Sequence, residues 1–438
     1  MNKTARRFGA LLACPMAFAP AAWAADKPQI DTGDTAWLLM ATVLVLMMNI
    51  PGLALFYAGM VRKKNVLATS VQAFAVAALV TVLWFAVGYS LSFTDGGGLN
   101  AAIGSLSRAF GKGLLGSVHE LARTVPENVF LMYQATFAVI TPAIIAGACA
   151  ERMKISALMW FMGLWLLFVY VPVAHWVWGG GFLGAAGVLD FAGGLVVHLN
   201  AGIAALVCCV VIGRRRGYGH EYMAPHNLVL TLIGTSLLWV GWFGFNAGSA
   251  LASGELAGSA MLNTHIAASV AALVWMTIEW ATRGKPSVLG ILTGAVAGLG
   301  MITPAAGYVE PWAALVIGVI AGSVCYWASI VLKNKLGYDD SLDAFGVHGV
   351  GGIVGSILVG VFATRAINDV AKGQPVGLVD GNGGQILTQL YGVVVIGLFS
   401  AVVTWVILKI LDAAIGLRVT QDEEVEGLDT ALHGERVQ

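Results

Sequence analysis

Charge is what this chain of 438 residues has least of. Only 11% of it is Asp, Glu, Lys or Arg, against 58% hydrophobic residues, and the mean hydropathy is +0.81. A soluble globular chain carries about 25% charged residues. The shortage leaves too little charge to cover a water-exposed surface, so the surrounding solvent has to be lipid. The formal net charge is zero, which argues against a nucleic-acid partner. Signatures of covalent chemistry are missing as well. The sequence holds no H-E-x-x-H pair for a zinc hydrolase, no Walker A loop for ATP-driven pumping, and no G-x-S-x-G setting around Ser249. Cys14, Cys149, Cys208, Cys209 and Cys325 lie in apolar runs without metal-ligand spacing. They read as small core residues. Neither an enzyme nor a resident metal or cofactor is expected.

What the chain does have is long uncharged runs. Lys3, Arg6 and Arg7 precede an apolar stretch over residues 8–25, with Ala22-Trp23-Ala24 as a small-x-small cleavage pattern. Residues 1–25 therefore read as a cleaved signal peptide of a bacterial export route. Eleven uncharged windows follow, the first at 35–61, the eighth at 286–309 and the last at 381–408. Each is long enough to cross a bilayer, which takes about 20 helical residues. Helix is required, because backbone groups in hydrocarbon must bond within their own segment. The expected class is an all-α integral membrane protein with eleven transmembrane helices over 26–411 and a tail at 412–438.

Loop charge sets the orientation. With the mature N-terminus outside, the inner loops carry Arg62, Lys63, Lys64, Arg152, Lys154, Arg214, Arg215, Arg216, Arg283, Lys285, Lys333 and Lys335. The outer loops carry only Arg108, Lys112, Arg123, Arg365 and Lys372, so the ratio is twelve to five. That follows the positive-inside rule and predicts an inner-membrane protein with a periplasmic N-terminus and a cytoplasmic tail.

Two histidines, His198 and His348, sit deep in uncharged windows. An imidazole in hydrocarbon is expensive and usually faces a cavity or pathway. Windows one to five end on the segment bearing His198, and windows six to ten on the segment bearing His348. Five is odd, so the halves would be inverted relative to one another, a common transporter plan, with window eleven outside the repeat. Loss of water disfavours an imidazolium, and two neutral rings could bond each other while offering their remaining nitrogens to a small polar guest. Asp190 and Asp343, ahead of the two histidines, are expected to cap helices.

A pathway for a small cation also needs an outer site and a constriction. Trp178, Phe137 and Ser249 are candidates for the first, because aromatic faces attract cations and a hydroxyl accepts a hydrogen bond. Trp242, Phe245 and Ser249 share one helical face, as do Tyr133 and Phe137. Phe137 and Phe245 could stack as a gate. The bland alternatives are an interfacial belt tryptophan, core stripes, and a buried histidine bonded to a carbonyl. His175 and His265 also fall within windows and have no account from the sequence.

The motifs AHWVWGGG, LDFAGGLVVHLNAG, GWFGFNAGSA, RGKPSVLG and DAFGVHGVGG resemble the ammonium transporter family (Amt/MEP/Rh). The likeness runs from about residue 35 into the tail. It implies eleven helices in a five-plus-five inverted repeat with one extra, a homotrimer with one pore per subunit, and ammonium or methylammonium as guest. It also implies roles: Phe137, Trp178 and Ser249 as outer recruitment site, Phe137 and Phe245 as gate, and His198, His348, Trp242 and Thr303 along the pore. Asp190 is implied as a structural residue near the site. A PII-type signalling protein is implied at the cytoplasmic face. An ammonium sensor using the same site is the alternative. The short acidic tail favours transport over a fused signalling module.

Overall fold

The computed structural model describes residues 29–437, so the expected signal peptide lies outside the described residues. Among the described residues the secondary structure is helical, with no strand beyond two isolated bridges. Ten helices are long and apolar enough to cross a membrane. They are α1 (Thr32–Met60), α2 (Lys63–Phe93), α3 (Glu127–Cys149), α4 (Ile155–Ala185), α5 (Gly194–Ile212), α6 (Leu228–Gly248), α7 (Glu255–Arg283), α9 (Pro311–Leu336), α10 (Phe345–Phe362) and α11 (Gly384–Ile415). The eighth, α8 (Val288–Ile302), has only 15 residues, about 22 Å at the helical rise.

The eighth window was expected to span fully as helix. Instead the chain leaves the helix at Thr303-Pro304 and continues through turns to Val309. Pro304 has no N–H to extend the ladder. Unwound backbone at this depth needs partners, and they are present. Asn263 Nδ2 donates to the carbonyls of Ala306 and Val309 at 2.9 and 2.7 Å, and the Phe191 N–H donates to the Pro304 carbonyl at 3.1 Å.

Polar residues at the window edges start the helices. Asp31 accepts from the Asp34 N–H, Asn227 from Val229 and Leu230, and Ser287 from Gly290. Burial then separates centre from periphery: the most apolar stretch of α3 is 94% buried, that of α11 only 33%. Helix α3 therefore runs through the middle, flanked by α1, α2 and α5 and by the C-terminal end of α6, while α11 packs on α5 and α10. Helices α5 and α10 meet where a Cβ on Gly202 would fall 2.1 Å from the Gly349 Cα. Only glycine permits that approach, and small residues of this kind let membrane helices touch.

One face of the bundle is tied by ions. Glu151, between α3 and α4, pairs with Arg62, between α1 and α2, at 2.9 Å and with Arg215, between α5 and α6, at 3.2 Å. Arg215 reaches Asp339, between α9 and α10, at 2.8 Å. Four loops expected on the same side are thus in contact. The fully buried Arg152 donates to the carbonyls of Gly213, Ala148 and Asp339. The tail joins the same face: Glu424 accepts the Arg216 N–H at 2.7 Å, and Asp429 accepts the N–H groups of Leu67 and Ala68 at the start of α2.

Candidate functional site

At the opposite end from that ionic face, α3, α4 and α6 enclose a cavity of ≈ 400 Å³ whose lining includes Gln134, Phe137, Trp178, Asp190 and Ser249. Tyr133, Gln134 and Phe137 are neighbours on one stretch of α3. The Ser249 hydroxyl donates to the Phe245 carbonyl at 2.8 Å and lies 3.2 Å from the Tyr133 hydroxyl, which leaves a lone pair for a donor in the cavity. The Trp178 indole N–H donates to the Asp190 carbonyl at 2.9 Å, which fixes the ring.

From the cavity a file of rings leads inward. Trp178 meets Phe137 edge-on with centroids 5.9 Å apart, and Phe137 lies over Phe245 at 4.3 Å and 33°. Phe245 is 5.9 Å from His198, and His198 is 5.2 Å from His348. Behind the phenylalanine pair is a space of ≈ 10 Å³ bordered by His198, His348, Trp242, Phe245 and aliphatic side chains, about the room of one water molecule. A further space of ≈ 20 Å³ continues from His348 past Phe56 and Tyr57 toward the ionic face.

The two imidazoles are fully enclosed by protein, and their Nδ1 atoms are 3.2 Å apart. Two neutral rings in that contact must share one proton donor: one Nδ1 carries the hydrogen and the other accepts it. The Nε2 of the first ring is then an acceptor and the Nε2 of the second a donor. His198 Nε2 has no protein partner. The arrangement offers one donor and one acceptor to whatever lies in the narrow space.

Local sequence explains the placement. The Asp190 carboxylate accepts four N–H groups, from Gly193 (2.8 Å), Gly194 (2.7 Å), Leu195 (2.8 Å) and Val196 (3.0 Å), and so seats the first turn of α5. The turn requires φ +111° at Gly193, a left-handed conformation that glycine adopts freely. Burial pushes the Asp190 carboxyl up, and the four N–H donors oppose that by favouring the ionised form. In the second half the cap is not Asp343. Asp343 has φ +58° and ion-pairs with Lys333, while Asp340 Oδ2 accepts the Phe345 N–H at 2.7 Å. Burial, then the neighbouring Asp343 charge, raises Asp340 to about 6. Asp190 precedes His198 by eight residues and Asp340 precedes His348 by eight. That shared spacing was the available signal.

One further placement differs from expectation. Thr303 is set behind Trp242 and does not border the three spaces described. Its hydroxyl accepts the Trp242 indole N–H at 2.9 Å and donates to the Leu299 carbonyl at 2.8 Å. His175 is fully buried, with Nδ1 2.9 Å from the Ser92 carbonyl and Nε2 2.7 Å from the Asn100 carbonyl, and pins the loop after α2 to α4. Gln134 was not anticipated at this cavity.

Fold and site together define a class: a multi-pass helical membrane protein enclosing a narrow, largely apolar conduit with paired histidines at its centre. Residues 36–438 match the model of the Ammonium Transporter Family. The chain belongs to that family. It is 46% identical to an ammonium transporter of Bacillus subtilis over 93% of this chain and 98% of that one. It is 49% identical to an ammonium transporter of Aquifex aeolicus over 94% and 95% of the two chains. The crystal structure of Saccharomyces cerevisiae Mep2 superposes with a TM-score of 0.84 at 36% identity, covering 90% of this chain and 89% of that chain.

Proposed function

We propose that this protein carries ammonium across the bacterial inner membrane, capturing the cation outside and passing it inward as ammonia with its proton moving separately. The observation that carries the reading is the unbroken file of rings from Trp178 to the Nδ1–Nδ1 contact of His198 and His348. Phe137, Trp178 and Ser249 form the recruitment site, where π faces replace part of the cation's water. Phe137 and Phe245 form the gate. His198, His348 and Trp242 line the narrow passage, and Thr303 holds the Trp242 ring. Asp190 adds negative potential under the recruitment site while seating α5.

Size cannot separate ammonium from potassium, but chemistry can. Ammonium divides into ammonia and a proton: the acceptor Nε2 of the imidazole pair takes up that proton, the shared Nδ1 hydrogen shifts to the other ring, and that ring's Nε2 releases its own proton onward. Potassium has no proton to give, and the passage offers it too few oxygens to replace its water.

The working unit is a homotrimer of the mature chain, with membrane domain 26–411, cytoplasmic tail 412–438 and the signal 1–25 removed. The exposed His265 beside Trp239 on the bundle's flank supports a subunit contact, because an imidazole facing lipid is costly. The loops and tail on the ionic face form the dock for a PII-type protein. The test is electrical: purified protein in liposomes, with ammonium or potassium gradients applied separately. Ammonium-driven current or uptake with no potassium response is expected. Absence of any ammonium response in folded protein would sink the reading.

A further inference from the structure

Every ligand assigned to the outer site so far is a ring or a hydroxyl. Ammonium, however, carries four N–H donors, and those not lying on a π face need acceptors. The Asp190 carboxylate cannot serve directly, since both of its oxygens are engaged by backbone N–H groups. The Tyr133 hydroxyl has one proton and lies 3.0 Å from the carbonyls of Gly244 and Phe245 and 3.2 Å from Ser249 Oγ, so it is occupied in holding the end of α6. Ser249 is then the one assigned side chain with lone pairs to offer.

Gln134 fills the gap. The residue is 7% exposed, it lines the same cavity as Phe137 and Trp178, and its Oε1 is buried without a hydrogen-bond partner. It stands one helical turn outside Phe137, on the same side of α3. A buried carboxamide normally finds partners within the protein, because an unpaired buried acceptor is costly to keep. Asn368, which also borders the cavity, is on an outer loop with partial access to water and bears no such cost. The terminal torsion of glutamine is broad and two-fold, so the oxygen can turn to a cation in the cavity.

We propose that Gln134 is a further ligand of the outer site, supplying the uncharged acceptor that sets how tightly ammonium is captured before it reaches the gate. The inference rests on the vestibule being the entry for ammonium. A carbonyl oxygen takes an N–H of ammonium without the desolvation cost of a second carboxylate. Methylammonium has three N–H groups and can turn its methyl toward the vacated position, so it depends less on this residue.

The experiment measures uptake into proteoliposomes against ammonium and methylammonium concentration for Gln134→Met, Gln134→Glu and Trp178→Leu. Gln134→Met keeps an unbranched chain of similar length without the acceptor. Its half-saturation concentration for ammonium should rise about tenfold, the scale of one hydrogen bond to a charged group. The saturated rate should stay within about twofold, the pattern of lost binding rather than lost passage. The rise for methylammonium should be smaller. Gln134→Glu, which restores an acceptor, should return the half-saturation concentration to the parent value or below. If Gln134→Met leaves it unchanged while Trp178→Leu raises it, the role of Gln134 is overturned and the outer site stands. If neither variant raises it, the entry itself is misassigned. If both Gln134 variants lose saturated rate together, the residue is structural and the proposal fails.

Discussion

His198 and His348 each retain one ring nitrogen for the conduit only because the other is spent on its partner. Removing either ring therefore changes two things: the width of the narrow space and the tautomer of the ring left behind. His198→Ala and His348→Ala should each abolish ammonium transport that excludes potassium, while the protein still purifies as the same oligomer as the parent. Liposome currents with the two cations, beside size-exclusion profiles, check this; normal selectivity in both variants would refute the lining role. These positions were legible in the sequence because an imidazole amid uncharged residues stands out, and so were Phe137, Phe245 and Ser249 through their three- and four-residue spacing. Gln134 was not legible. A lone amide beside Tyr133 carries no pattern, and only its place on the cavity wall together with an unpaired oxygen separates it from a polar residue satisfied within the core. Nor could spacing distinguish Trp242, which borders the passage, from Thr303, which stands behind it and holds its ring.

At the level of single elements, the start of α5 hangs on one carboxylate. Asp190→Ala leaves four buried N–H groups without their acceptor, and a lost cap alone costs about 0.5–2 kcal/mol. With buried donors unsatisfied, the loss should exceed about 2 kcal/mol. Asp190→Asn should do little better, because its NH₂ would face two of those donors. Thermal unfolding in detergent should show both variants well below the parent; an unshifted asparagine variant would mean that the four contacts contribute little. Ten of the eleven expected spans could be read from uncharged windows, since length and absence of charge are what lipid demands. The eighth could not, because the same apolar composition suits a helix and an unwound turn alike. The unwinding depends on Pro304 together with a distant amide, Asn263, whose contact is tertiary. The second cap was misread for a related reason: Asp340 and Asp343 are three residues apart, and the left-handed backbone at Asp343 turns it to Lys333.

Across the whole molecule, Glu151 is the node that joins the loops. Burial alone would raise its carboxyl, but Arg215 and Arg62, with the Arg62 N–H, hold it below the ordinary carboxylate range. A carboxyl depressed in the folded state stabilises fully above its unfolded value, near 4.5, and that contribution is lost as pH falls through the folded value. Glu151→Gln should therefore lower stability at neutral pH by about 3–5 kcal/mol, the usual cost of breaking a buried pair. The gap from the parent should begin to narrow near pH 4.5 and close only as pH falls through the folded value. Melting curves in detergent from pH 7 down to about pH 2 check it; a gap that stays constant to the lowest pH would remove the ionic explanation. Loop charge made the common side of these loops legible, but not which arginine takes which carboxylate, since pairing depends on how the helices pack.

The crossing of α5 and α10 sets one more limit. Their backbones touch at Gly202 and Gly349, with no side chain between them to act as a bearing. The Glu151 node clamps the same two halves at the inner end. Rocking one half against the other would have to break both junctions, which opposes alternating exposure of a central site by rigid-body motion. The smaller motion is the tilt of individual rings, which the burial of Phe137 and Phe245 slows relative to an exposed side chain. Turnover should then be paced by how often Phe137 and Phe245 part, with the scaffold standing still.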